Sequence, residues 1–245
     1  MALLDFETAL GRLVRAPNAT DQLRSLDLTA GEVSCLETLK ASAGFRFTVE
    51  VQQSWCIGRA ARAGSFTLSI LTGELRRRLL DQWTETGGGT SSFFAAEAEV
   101  FLEFVASHLP NPSHELTACR FEQATLRANE RAVGFTPPDP DLLRAPGCAL
   151  RRGRYAGMAA FYGEPGAIID ALLKHQEHPP VSVDATTMLL GPGLDRLCRV
   201  ASPREVTLWQ KLSASVSVAS LLQQRYSHND LALMLREGIV EFAVK

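Results

Sequence analysis

Apolar residues return along this chain with two different periods, and the change of period divides it. Up to about residue 132 they recur every three or four positions, the spacing that lines one face of a helix. Leu3, Phe6, Leu10 and Leu13 form the first stripe, and Pro17-Asn18 breaks it. Thr29 and Glu32 set a capping box ahead of Val33, Leu36 and Leu39. Residues 45–62 carry a looser stripe of Phe47, Val51, Trp55 and Ile57 or Gly58. The run 74–83 reads as a helix with Leu75, Leu79, Leu80 and Trp83 turned inward and Arg76, Arg77 and Arg78 turned outward. After the Gly87-Gly88-Gly89-Thr90 loop, residues 91–109 read as a long helix buried through Phe94, Ala98, Phe101 and Val105. Pro110-Asn111-Pro112 turns the chain. Ser113 then opens a helix to about residue 132, with Leu116, Cys119 and Leu126 as its stripe and alanines that permit close packing. Five or six helices therefore fill an all-helical domain, residues 1–134.

Residues 135–147 hold four prolines and two aspartates, which predicts a linker. Residues 148–245 then change character. Short strands are expected at 149–154 and 155–162, with Gly153 between them, and a helix at 165–174 through Ile168, Ile169, Leu172 and Leu173. A strand over 185–190, the Gly191-Pro192-Gly193 turn and a strand over 194–200 make a hairpin. Ser202-Pro203-Arg204-Glu205 caps a helix with Val206, Trp209 and Leu212 as its stripe. A second helix follows Ser217 through Val218, Leu221, Leu222 and Tyr226. A third opens at Ser227 with Asp230 and stops at Gly238, and residues 239–242 close as a strand. The expected fold is α+β: a mostly helical N-terminal domain followed by a winged-helix-like domain. That outline has two uses. One puts the third helix into DNA, and the other leaves a sheet edge free to pair with a leader peptide.

Charge bears on that choice. The chain carries net charge −2, and its last 100 residues hold 11 Lys/Arg against 9 Asp/Glu, leaving 14 against 18 before them. Duplex binding draws its affinity from a basic excess, and the third helix offers only Arg236. Nucleic acid is therefore not the expected partner, and a winged-helix DNA-binding regulator stands as the alternative. Apolar residues make up 46% of the chain, enough for a real core, yet no apolar run approaches the ~18–20 residues of a membrane span. The start, Met-Ala-Leu-Leu-Asp-Phe-Glu, has early acids and no basic residue, so a cytoplasmic location is expected.

Candidate catalytic chemistry is sparse. Cys35, Cys56, Cys119, Cys148 and Cys198 are odd in number and too widely spaced for a zinc or redox pair, and cysteine in apolar context is most often a small buried hydrophobe. His175 and His178 stand three apart at a helix end but have no acidic or cysteine ligand near them in sequence. Cationic side chains also favour that position for dipole reasons. No metal site and no catalytic residue are expected. The binding candidates are better defined. Arg152 and Arg154, beside Tyr155 at a strand end, serve either to protect an edge or to orient a peptide. Met188, Leu190, Leu194 and Leu197 flank the hairpin turn. Leu194 and Leu197 cannot face the same way on a regular strand, so at least one is core. His114, Arg120 and Glu122 on one helix, with Arg77 in the arginine cluster, are candidates for a protein interface. An ion pair within the chain is the competing reading of Arg120 and Glu122.

The run Leu-Arg-Arg-Arg-Leu-Leu-Asp-Gln-Trp at 75–83 and Phe-Leu-Glu-Phe-Val-Ala-Ser-His-Leu-Pro-Asn-Pro-Ser-His-Glu-Leu-Thr-Ala-Cys-Arg-Phe-Glu-Gln-Ala at 101–124 resemble the MbnC-type proteins of methanobactin biosynthesis. Leu-Gly-Pro-Gly-Leu-Asp-Arg-Leu at 190–197 and Ala-Ser-Pro-Arg-Glu-Val-Thr-Leu-Trp at 201–209 are similar too, so the likeness spans roughly residues 70–240. The resemblance implies a partner, an MbnB-type TIM-barrel enzyme that holds iron. It also implies a substrate, an MbnA-type precursor peptide. In that family the pair uses dioxygen to convert cysteines of the peptide into oxazolone and thioamide groups of a copper chelator. This chain would then have no cofactor of its own and would present the leader peptide. Such a subunit is expected to expose a large apolar patch when isolated.

Overall fold

The structure, a computed structural model, describes residues 2–15, 25–86, 94–182 and 184–243, with the backbone alone at 2, 3 and 94–96. The break at Pro17-Asn18, the Gly87-Thr90 loop and the start of the helix expected from Ser91 lie outside the described residues. The chain is α+β, with a helical N-terminal part followed by helices and small antiparallel sheets. It divides into two compact units, Met1–His108 and Leu109–Lys245. The division therefore falls ahead of the expected proline-rich linker.

The first unit is helical: α1 (Ala2–Arg15), α2 (Ala30–Ala41), α3 (Ala43–Ala63), α4 (Ser65–Ile70), α5 (Gly73–Glu85) and α6 (Phe94–Ser107). The Thr29–Glu32 box is made in both directions, with Thr29 N donating to Glu32 Oε2 at 2.8 Å and Glu32 N donating to Thr29 Oγ1 at 3.3 Å. Ala9 and Leu13 of α1 meet Leu36 of α2 and Phe45 and Val49 of α3 in one cluster. Trp83 of α5 packs edge-on to Phe101 of α6, ring centroids 5.3 Å apart. On α3 the expected stripe is turned round. Phe45, Val49, Cys56 and Ala60 are the buried residues, and Phe47, Val51 and Trp55 are exposed. The buried set is spaced by four, seven and four residues and the exposed set by four, both of which line one face of a helix, so periodicity on its own could not choose between them.

The second unit begins with α7 (His114–Ala132). This helix was expected in the helical domain, but it lies on β2 (Gly157–Phe161). Thr117 Oγ1 donates to the Ala160 carbonyl at 2.8 Å. The approach is close because both surfaces are small: a Cβ built on Gly157 would lie 2.3 Å from that of Ala124. Gly157→Ala is therefore expected to cost about 2 kcal/mol through forced overpacking. Thermal denaturation checks this, with an expected drop of about 5 °C. The proline-rich segment is structured as well. Pro140–Arg144 forms a 3-10 turn that puts Leu143 into the main core.

Two three-stranded antiparallel sheets follow. In one, β1 (Ala149–Arg152) lies between β5 (Val216–Ser217) and β6 (Val240–Phe242). In the other, β3 (Thr186–Leu190) lies between β2 and β4 (Cys198–Val200). The hairpin β3–β4 and the closing strand β6, read above as parts of one outline, thus belong to different sheets. The run α9 (Pro203–Lys211), β5, α10 (Val218–Gln223), α11 (His228–Arg236) and β6 takes its central strand from β1. The remaining helix, α8 (Pro165–Leu173), links β2 towards β3. Serine caps at Ser202 and Ser227 make both expected boxes, and Gly238 ends α11 at φ +69°. Leu150, Leu189, Leu208, Leu221, Leu235 and Ile239 are all buried in the shared core.

Candidate functional site: an open strand edge

β4 is the outer strand of its sheet, and its backbone parity can be read from two bonds. Ala201 N donates to the Thr187 carbonyl at 2.7 Å, and Gly191 N donates to the Leu197 carbonyl at 2.9 Å. With Leu189 opposite Arg199, alternate residues bond to β3. Arg199 faces β3, so Cys198 and Val200 turn their backbone groups outward. The Val200 carbonyl accepts from Arg199 Nη1 at 3.2 Å. The Val200 N–H and both backbone groups of Cys198 have no backbone partner among the described residues. Val200 is 58% exposed. It also borders a groove of about 440 Å³ lined by Thr186, Thr187, Val200, Ala201, Pro203 and Val206. The groove explains why Val206 is only half-buried although it stands in the apolar stripe of α9.

The edge is held rigidly from behind. Arg199 Nε and Nη2 donate to the Glu237 carboxylate at 2.8 and 2.6 Å, and Nη1 and Nη2 donate to that of Glu205 at 3.1 and 2.5 Å. This double fork ties β4 to the first turn of α9 and to the end of α11. The two carboxylates bind the guanidinium proton more tightly and raise the Arg199 pKa. Burial pushes the Glu205 carboxyl up, but bonds from Arg199 and Ser202 outweigh it and hold the group below its ordinary range. Burial pushes the Cys198 thiol up and so disfavours its thiolate.

The residues singled out from sequence do not gather at one place. Arg152 is half-buried: its Nε donates to the Trp209 carbonyl at 2.8 Å, and its guanidinium lies 5.0 Å from the Trp209 ring centroid. Arg154 is exposed over the half-buried Tyr155, and its backbone N–H is held by Glu241 at 2.9 Å. These three sit at and just after the end of β1. Met188, Leu190, Leu194 and Leu197 belong to the hairpin in the other sheet. Leu190 is 0% exposed and has no surface to offer a ligand. The strand expected over 194–200 is only Cys198–Val200, and residues 194–197 form the turn ahead of it, so strand alternation does not apply to its leucines: Leu194 packs against the core and Leu197 is half-buried at φ +60°. Met188 is half-buried opposite Val200.

The interface candidates separate too. His114 is 3% exposed; its Nε2 donates to the Pro179 carbonyl at 2.8 Å and its ring lies edge-on to His178. It fastens α7 to the segment after α8 and is unavailable to a partner. Arg120, half-buried, donates to Gln123 at 2.9 Å, and Glu122 is half-buried beside it. Arg77 is exposed on α5 in the first unit. Among the described residues no three His, Cys, Asp or Glu side chains come together as a metal-binding group, and no helix is long and apolar enough to cross a membrane. The residue missed from sequence was Arg199. Its signal was an arginine at the centre of a strand three residues before a capping box that already held a glutamate.

Compared with known protein families the chain matches none, and no curated protein matches it.

Proposed function

We propose that this chain is a non-catalytic, cytoplasmic subunit of an iron- and dioxygen-dependent peptide-modifying complex. It binds the leader of a precursor peptide as an added strand on β4 and presents the peptide's cysteines to an MbnB-like barrel enzyme for conversion to oxazolone and thioamide. The observation that carries this reading is the outward N–H of Val200 and the free backbone of Cys198, set beside an apolar groove. An extended peptide pairs with such an edge through its main chain and gains register from a side chain dropped into an adjacent pocket. The lining residues, Val200, Pro203 and Val206, suit an aliphatic side chain. The resemblance to MbnC-type proteins supplies the partner, the iron and the chemistry.

The test is co-expression of this chain with an iron barrel enzyme of that type and a cysteine-containing precursor, followed by mass measurement of the peptide. A mass change only when both proteins are present supports the reading. The same turnover without this chain overturns it.

A further inference from the structure

Among the described residues the outer face of α3 is left exposed, yet it is built in a regular way. Its residues fall into two adjacent four-residue ridges. One is large and apolar: Phe47, Val51 and Trp55, exposed by 66, 40 and 66%. The other is short in the middle and charged at its ends: Glu50, Ser54, Gly58 and Arg62. Exposed aromatic residues clustered on one face are the usual core of a protein interface rather than ordinary surface. Gly58 adds an independent observation. A glycine in the middle of a helix costs about 1 kcal/mol against alanine. A Cβ at Gly58 would meet nothing within 4 Å, so packing among the described residues does not require a glycine there. A hollow of about 340 Å³ lies over this spot, lined by Ser54, Trp55, Gly58, Arg59 and Arg62.

We propose that α3 is a self-association face, packed antiparallel against α3 of a second copy across a twofold axis near Ser54 and Trp55. A ridge of large side chains beside a ridge of small ones is self-complementary: each copy's Phe47-Val51-Trp55 ridge fills the groove over the other's Ser54 and Gly58. The charges choose the direction. Glu50 stands in the first half of the helix and Arg62 near its end, so antiparallel packing about this axis brings each Glu50 within about one turn of the other copy's Arg62, an offset of about 4.5 Å that the long arginine side chain spans. Parallel packing would set like charges together. The inference does not depend on the peptide-binding reading, because α3 and β4 lie in different units.

Sedimentation equilibrium of the full chain at up to about 100 µM, a range that resolves dissociation constants of single-helix interfaces, tests it. The expected mass is twice the 26.7 kDa of one chain. Trp55→Ser and Gly58→Leu, both at exposed positions, are each expected to weaken the dimer at least about tenfold with circular dichroism unchanged. Arg62→Glu is expected to weaken it, and Glu50→Arg added to Arg62→Glu to restore it. A monomer at the highest concentration overturns the proposal. So does a dimer indifferent to Trp55→Ser and Gly58→Leu, or a charge swap that restores nothing.

Discussion

Val200→Pro is expected to reduce binding of an extended leader peptide about a hundredfold, equivalent to about 2.7 kcal/mol, without disturbing the fold. The effect is specific because of parity. Proline removes an N–H, and in the interior of a sheet that would break the ladder. Here the Val200 N–H points away from β3, so the bonds of Arg199 and Ala201 to β3 survive. The restriction proline imposes on the preceding residue favours the extended conformation that Arg199 already has as part of β4. What is lost is the outward donor, and the proline ring stands where the incoming strand would pair. Fluorescence anisotropy with a labelled leader peptide measures the loss, and circular dichroism checks the fold. Val200→Thr, which keeps the N–H and the branched shape, is expected to bind nearly as the parent does. Equal binding by the proline variant would remove β4 as the docking edge.

Arg199→Met is expected to destabilise the second unit by about 3 kcal/mol, because it leaves Glu205 and Glu237 facing each other with no cation between them. That figure is taken at the low end of the range for buried pairs, since the Arg199 side chain is 27% exposed. The melting temperature should fall by about 8 °C. Glu205 also gives this network a pH signature. Its folded pKa is lowered, so its contribution is complete above the ordinary glutamate value of about 4.3 and is lost as pH falls through the lower folded value. Urea denaturation between about pH 7 and pH 3 should show that loss in the parent, whereas Glu205→Gln should lack this part of the slope. A parent and variant with parallel pH profiles would show that the fork contributes nothing.

Much of the local architecture was legible because it rests on contacts close in sequence. The boxes at Thr29, Ser202 and Ser227 and the left-handed Gly238 require only residues within one turn of each other, and all of them form. The inward face of α5 was legible for the same reason, with Leu79 and Trp83 buried and the three arginines exposed. The candidate site was less legible. Arg152, Arg154 and Tyr155 lie in a different sheet from Met188, Leu190, Leu194 and Leu197, since strand pairing is a long-range choice that alternation does not encode. Arg199 was only half legible: Glu205 lies six residues on, but its other partner, Glu237, lies 38 residues away.

The sequence by itself determined an α+β chain, with helical stripes first and short strands and capped helices after, because side-chain period and cap chemistry act over a few residues. Only the tertiary structure decided which stripe of α3 is buried, that α7 lies on β2, and that β4 is left as an edge. Each of these depends on which surfaces find one another. Phe45 and Phe47 are equally apolar, and Ala124 reaches Gly157 only because both are small. A strand becomes an edge when no other strand of the chain takes its open side.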